Sequence, residues 1–232
     1  MVIALVLSGG TGSRLGADIP KQYLRVQRRP VLLYCMETLH KSPTIDAIQI
    51  VAAQERQEEI SGWREEYGLT EKCREFSLPG ENRQLSIYNG LTDIRRYAQD
   101  DDLVLIHDAA RPLLSPELIE GCTEAIEGYE GVLPVLPMKD TVYFSEDGMQ
   151  ITSLLDRQAV FAGQAPELFR LGIYYQANER LLPEEILRIN GSTEPAVLAG
   201  MQIAMVPGDE RNFKITTPAD LERFRQIVEN EA

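Results

Sequence analysis

Short, unbroken runs of Val, Ile and Leu alternate along this chain with longer stretches whose apolar residues recur every three or four positions. Ile3 to Leu7, Ala47 to Ala52, Leu103 to Ile106 and Gly131 to Leu136 read as buried strands. Pro30 to Lys41, Gln54 to Tyr67, Arg83 to Gln99 and Ser115 to Glu127 read as helices. Ser115-Pro116 and Thr217-Pro218 are helix starts, a hydroxyl cap followed by proline in the first turn. A strand with no polar face must be covered on both sides, and parallel neighbours need crossover connections. The alternation therefore predicts right-handed βαβ units, an α/β fold and a mostly parallel sheet with helices on both faces. No repeat, low-complexity tract or Pro/Gly/Ser linker divides the 232 residues, so a single domain over 1–232 is expected.

One segment departs from the alternation. Thr141 to Phe144 and Gln150 to Leu154 flank Ser145-Glu146-Asp147-Gly148, and Asp-Gly is a hairpin-turn signal. A hairpin inserted late in an open α/β sheet either projects as an arm, at about 138–159, or adds an antiparallel edge to the sheet. Composition narrows the partners. Lys plus Arg total 23 against 36 Asp plus Glu, a formal net charge of −13, which argues against nucleic acid and against an anionic membrane surface. No apolar run approaches the roughly 18 residues of a membrane span. The apolar Met1 to Leu7 has neither a basic flank nor a cleavage site and reads as a buried strand. Cys35, Cys73 and Cys122 are odd in number and widely spaced, with only two histidines beside them. That pattern excludes a disulfide framework and a Cys/His zinc site and fits the reducing cytoplasm.

Beyond the first strand comes Ser8-Gly9-Gly10-Thr11-Gly12-Ser13-Arg14-Leu15-Gly16. Ligands of open α/β folds bind beyond the carboxyl ends of the strands, and glycines let backbone N–H groups approach phosphate oxygens. The dinucleotide pattern fails, because the third glycine counted from Gly10 falls at Leu15, and the P-loop fails for want of Gly-Lys-Ser/Thr. A phosphate loop and a purely structural turn both remain. Arg14, Lys21, Arg25, Arg28 and Arg29 follow, opposed only by Asp18. Arg14 and Lys21 suit a triphosphate clamp, whereas Arg25, Arg28 and Arg29 read as a solvated basic face. After the strand at Leu103 stands His107-Asp108-Ala109-Ala110-Arg111-Pro112. Asp108 is a Mg²⁺ candidate, or a turn or cap residue, and Arg111 an anion candidate.

Taken together, Gly9 to Arg14 with Pro20-Lys21-Gln22-Tyr23, and then His107 to Pro112, resemble the polyol-phosphate cytidylyltransferase family. The likeness continues through Gly80-Glu81-Asn82-Arg83 with Ser86, Lys139-Asp140-Thr141, Asp156-Arg157, Gln164-Ala165-Pro166 and Asn212 to Thr216. It implies a Rossmann-like nucleotidyltransferase domain with a projecting β-hairpin arm, transferring CMP from CTP to a polyol phosphate with Mg²⁺. In that family the glycine loop (Ser8, Gly9, Gly10, Thr11, Gly12) and Gly80, Glu81 and Ser86 correspond to CTP-binding positions. Arg14, Lys21 and Lys214 correspond to catalytic cations and Asp108 to the metal ligand. Arg111, Thr141, Arg157 and Thr193 correspond to acceptor-binding positions, and the arm carrying Thr141 and Arg157 crosses to the partner of a homodimer.

Such chemistry suits the residues, because a phosphate monoester is already nucleophilic near neutral pH and needs alignment and charge neutralisation more than a base. The sequence departs from the family pattern beside the CTP positions, where Pro79 replaces a glycine. On the acceptor side Ala165 replaces a threonine, and a Thr-Asp pair maps onto Ser192-Thr193. A pocket built to bond a hydroxyl rejects analogues lacking it by about 10⁴–10⁵. Methylerythritol phosphate, favoured by His107 to Pro112, and ribitol phosphate, favoured by Gly163-Gln164, are the two acceptors to distinguish. A nucleotide-binding module that has lost transfer is the reading from another class.

Overall fold

The structure, a computed structural model, describes residues 1–10 and 19–231. Thr11, Gly12 and Arg14 lie outside the described residues. The chain begins with β1 (Val2–Leu7) and a two-stranded hairpin, β2 (Arg25–Val26) and β3 (Arg29–Pro30), which leads into α1 (Val31–Lys41). Then follow β4 (Ala47–Val51), α2 (Gln54–Glu66), β5 (Cys73–Ser77), α3 (Arg83–Ile94), β6 (Leu103–Asp108), α4 (Pro116–Glu124) and β7 (Gly131–Pro137). The later elements are β8 (Val142–Phe144), β9 (Ser153–Leu155), β10 (Phe161–Gly163), β11 (Glu167–Arg170), α5 (Leu171–Glu179), α6 (Glu194–Leu198), β12 (Ile203–Pro207) and α7 (Pro218–Asn230).

The strands β5, β4, β1 and β6 lie side by side and parallel. Antiparallel β11 joins β6 to β7, β12 runs parallel to β7, and β10 pairs with the far end of β7. This is the expected mostly parallel α/β sheet. Its central strands are mostly apolar because both of their faces are packed. Ala4, Val6, Ile48, Ile50 and Leu105 face Leu32, Met36, Trp63 and Ile119 from α1, α2 and α4. Ile3, Leu5, Val51, Val104 and Ile106 face Ile87, Leu91, Phe169 and Tyr174. Alternate residues of one strand thus feed opposite cores. A smaller core, Val26, Val31, Ile215, Leu221 and Phe224, seats α7 against the β2–β3 hairpin.

Both proline-marked helix starts are found. Ser115 caps α4 by accepting from the Leu118 N–H, and Thr217 forms a capping box with Asp220 at the start of α7. Helix α3 ends at Ile94 rather than at Gln99. Beyond it the chain tightens, with Arg96 N bonded to Asp93 O and Tyr97 N to Ile94 O, and then turns so that Leu103 N meets Met1 O.

The hairpin between β7 and β10 stands apart from the sheet. Among the described residues, β8 and β9 pair with each other and with no other strand. Register runs Val142 with Leu155 and Phe144 with Ser153, so the connection is longer than a two-residue Asp-Gly turn, and its second strand starts later than expected. Asp147 organises the connection, accepting from Met149 N, Gln150 N and the Ser145 hydroxyl, while Gly148 takes a positive φ of 72°. Tyr143, Phe144, Met149, Ile151 and Leu154 are all exposed on this arm.

Candidate active site

The carboxyl ends of β1 and β6 lie side by side, with Leu7 opposite Asp108 in the ladder. The cavity beyond them measures about 480 Å³. Gly9, Gly10, Lys21, Gly80, Glu81, Arg83, Ser86, Asp108 and Lys214 are among the residues that line it.

Its glycine wall rests on a fixed root. Gln22 Nε2 donates to the carbonyls of Ser8 and Gly10, both at 2.8 Å, and the Tyr23 hydroxyl donates to the Ser8 carbonyl at 2.8 Å. Ser8 is buried with its own hydroxyl on Tyr23, so its side chain supports the loop from below. A β-carbon on Gly9 would come within 2.6 Å of Pro79, which explains why the smallest residue faces that proline. On the opposite wall, Asn82 caps α3 by accepting from Leu85 N, and Ser86 Oγ accepts from Gly80 N at 2.9 Å. Gly80 is equally confined, with Leu85 atoms 2.5 Å from where its β-carbon would be.

Asp108, only 7% exposed, is the electrostatic centre of the cavity. Lys214 Nζ lies 2.9 Å from its Oδ2, Arg83 Nη2 3.1 Å from its Oδ1 and Arg111 Nε 3.6 Å from its Oδ2. Burial opposes the charge on Asp108, but Arg83, Lys214 and Arg111 outweigh it and hold the carboxyl well below the usual range. Arg111 donates from Nη1 to the Asn212 carbonyl at 2.7 Å, and Ile215 N bonds Ala110 O, tying the Lys214 segment to the loop after β6. His107 is fully buried, and burial pushes its pKa down to about 4. Its Nε2–H donates to the Arg111 carbonyl at 3.0 Å, so it is neutral and braces the loop.

For a Mg²⁺ ion the residue chemistry fits. Mg²⁺ binds through one or two carboxylates, waters and substrate phosphates, and Asp108 supplies one carboxylate in a cavity walled by cations. In the ligand-free arrangement its oxygens are held by Arg83 and Lys214. No cluster of three or more His, Cys, Asp or Glu that could hold a metal by protein ligands alone occurs among the described residues.

Thus Lys21, Lys214, Asp108, Gly9, Gly10, Gly80, Glu81 and Ser86 come together at one cavity. Arg111 stands directly behind Asp108. Thr141 and Arg157 stand outside the cavity lining, exposed on the arm and at its base, where Arg157 donates to the Lys139 carbonyl. Thr193 sits at the start of α6 and donates to Glu167 Oε2 at 3.0 Å. The basic residues read as solvated have structural partners as well. Arg29 pairs with Glu37, and Arg25 donates to the Arg28 carbonyl in the β2–β3 turn, where Gln27 and Arg28 take positive φ. Gln164 clamps the chain after β12, donating to Asp209 O and accepting from Asp209 N, both at 3.0 Å. Its side chain is committed to the fold.

Sequence reasoning missed Arg83 and Glu167 as members of the site. An arginine in the first turn of a helix resembles a solvated residue, and a glutamate after proline resembles a loop residue. Only the ion pair with Asp108 and the burial of Glu167 reveal them. Burial pushes the Glu167 carboxyl up, against the opposing pull of Arg83, Ser192 and Thr193.

Known proteins extend this picture along the whole chain. A 2-C-methyl-D-erythritol 4-phosphate cytidylyltransferase of Geobacter metallireducens is 36% identical over 227 residues, covering 95% of this chain and 94% of its own. That of Rubrobacter xylanophilus is 35% identical over 223 residues, 94% of this chain and 91% of its own. A ribitol-5-phosphate cytidylyltransferase of Lacticaseibacillus paracasei is 26% identical, with 98% of each chain covered. The fold matches the crystal structure of 4-diphosphocytidyl-2C-methyl-D-erythritol synthase from Anaerococcus prevotii with a TM-score of 0.84 at 24% identity, over 98% of this chain and 96% of that one. The family profile described as IspD: 2-C-methyl-D-erythritol 4-phosphate cytidylyltransferase spans residues 2–230, from the first sheet strand to the end of α7, and to that family this chain belongs.

Proposed function

We propose that this chain transfers CMP from CTP to 2-C-methyl-D-erythritol 4-phosphate. An oxygen of the acceptor's phosphate attacks the α-phosphorus of CTP, the bond from that phosphorus to the bridging oxygen breaks, and pyrophosphate leaves. The observation that carries this reading is the convergence of Lys21, Arg83, Lys214 and Asp108 on one glycine-walled cavity in a chain of charge −13. Such a cavity neutralises and aligns phosphates, which is the demand of phosphoryl and nucleotidyl transfer. A phosphate with a second pKa of about 6 is already an anionic nucleophile at neutral pH. No general base is needed, in keeping with a His107 that is buried and neutral.

In this reading Gly9 and Gly10, with Thr11, Gly12 and Arg14, hold the triphosphate by backbone and charge. Lys21 and Lys214 stabilise the charge that develops around the α-phosphorus, while Gly80, Glu81 and Ser86 receive cytosine and ribose. Asp108 would hold Mg²⁺, which when bound supplies further neutralisation of the phosphates. Lys214 and Arg83, which contact Asp108, would meet phosphate oxygens beside it. Arg111 and Thr193, with Thr141 and Arg157 from the arm of a partner subunit, bind the acceptor. The exposed apolar face of the arm supports that homodimer, since Tyr143, Phe144 and Leu154 would leave water on association. Unpaired cysteines, with Cys35 and Cys122 buried, suit a cytoplasmic enzyme.

The test is pyrophosphate release from CTP and Mg²⁺ with methylerythritol 4-phosphate and ribitol 5-phosphate side by side. Preferred turnover of methylerythritol 4-phosphate is expected. Preference for ribitol 5-phosphate would overturn the acceptor, and CTP binding without release from any polyol phosphate would overturn transfer itself.

A further inference from the structure

Glu167 opens β11 opposite Ile106 of β6, one strand away from the cavity, and is only 8% exposed. A carboxylate at such a place needs donors around it. The Thr193 hydroxyl donates to its Oε2 at 3.0 Å, and the positive charge of Arg83 favours its charged form. Ser192 Oγ accepts from Arg83 Nη1 at 2.7 Å, and Arg83 Nε reaches Asp108 Oδ1 at 3.1 Å. The Ser192 carbonyl is itself fixed by the Tyr174 hydroxyl at 2.6 Å. Polar contacts therefore lead from Asp108, on the cavity wall, through Arg83 to Ser192, whose neighbour Thr193 is held by Glu167.

Glu167 does not line the cavity, and no step of the transfer uses it. The Ser192-Thr193 pair carries no carboxylate of its own. The structure delivers one to that pair from the neighbouring strand.

We propose that Glu167 is a positioning residue for acceptor recognition: its carboxylate fixes Thr193, and with it the adjoining Ser192 that holds Arg83. The acceptor side of the pocket is then set before the acceptor arrives. This inference rests on the proposed transfer reaction for the meaning of that side, but its geometry is tested without turnover.

The experiment uses the full chain with Glu167→Gln, which keeps the side-chain shape, and Glu167→Asp, which keeps the carboxylate. In Glu167→Gln the KM for methylerythritol 4-phosphate should rise about tenfold. The CTP dissociation constant, measured by calorimetry, should stay within about twofold, and kcat at saturating acceptor should move little. Hydrogen exchange at the amides of 191–194 in the ligand-free protein should accelerate about tenfold. Glu167→Asp should lie closer to wild type in both acceptor KM and exchange. Unchanged acceptor KM with unchanged exchange in Glu167→Gln would overturn the proposal. So would a loss of CTP affinity in step with the acceptor, or a Glu167→Asp variant as impaired as Glu167→Gln. If the wild-type chain releases no pyrophosphate, the transfer reading falls by itself. Exchange at 191–194 then judges Glu167 alone, faster exchange supporting its positioning role and unchanged exchange rejecting it.

Discussion

The cavity and the arm solve opposite problems with the same chain. Around the cavity, charge is buried and paired within one subunit, with Asp108 holding Lys214, Arg83 and Arg111 among neutral glycine and serine walls. On the arm, apolar side chains are exposed and the strands pair only with each other among the described residues. A site made of paired charges is complete in one chain, apart from its ligands. An apolar ribbon is incomplete until something covers it. The nucleotide side should therefore depend on single residues, and the acceptor side on assembly.

The sharpest way to break that contrast is to remove a cavity cation. Lys21→Ala or Lys214→Ala should lower turnover by about 10²–10³, as loss of one preorganised donor does, while the sedimentation behaviour stays that of wild type. A near-normal rate of pyrophosphate release would end the assignment. Next comes the arm. Deleting 143–149 should weaken self-association by about 10²-fold, since burying each large apolar side chain contributes roughly 1.5–3 kcal/mol. It should also abolish acceptor binding while CTP affinity is retained. An unchanged dimer in analytical ultracentrifugation would show that the arm is not the interface.

A smaller effect sharpens the nucleotide side. Gly80→Ala places a β-carbon 2.5 Å from Leu85 and should lower stability by about 1–3 kcal/mol, together with CTP affinity. Thermal unfolding with and without CTP separates the two losses. The smallest effect is expected at the support behind Thr216, which lines the cavity and donates to Asp220 Oδ2 at 2.8 Å. Burial opposes the Asp220 charge, but hydrogen bonds from Thr216 and Thr217 prevail and bring its pKa from 3.8 to about 2. A depressed carboxyl adds stability above its unfolded value and loses it as pH falls through the folded one. Asp220→Asn should thus cost about 1 kcal/mol near neutrality, a difference that fades between pH 3.8 and about 2. Denaturant unfolding across that range checks it.

What could be read from the residues follows the same division. The strands β1, β4, β6 and β7 were legible because packing on both faces leaves an unbroken apolar signature. Edge strand β5, Cys73-Arg74-Glu75-Phe76-Ser77, was not, since an edge with charged positions resembles a loop. In the site, Gly9, Lys21 and Asp108 announced themselves by shape, charge or place after a strand, and Lys214 through the family resemblance. The roles of Gln22, Tyr23 and Glu167 did not, because they act on other protein groups, and that relation exists only once strands distant in sequence have come together.

The arm leaves the sheet after Pro137 and returns at Phe161, and these two residues are ladder partners. Its departure and re-entry are therefore neighbours, and the core registers the whole excursion as one closed loop. Lengthening such a loop costs little, about 0.6 kcal/mol for each doubling. The segment is thus an exchangeable cassette. Evolution, or an engineer, can lengthen or exchange it while the sheet it springs from stays as it is.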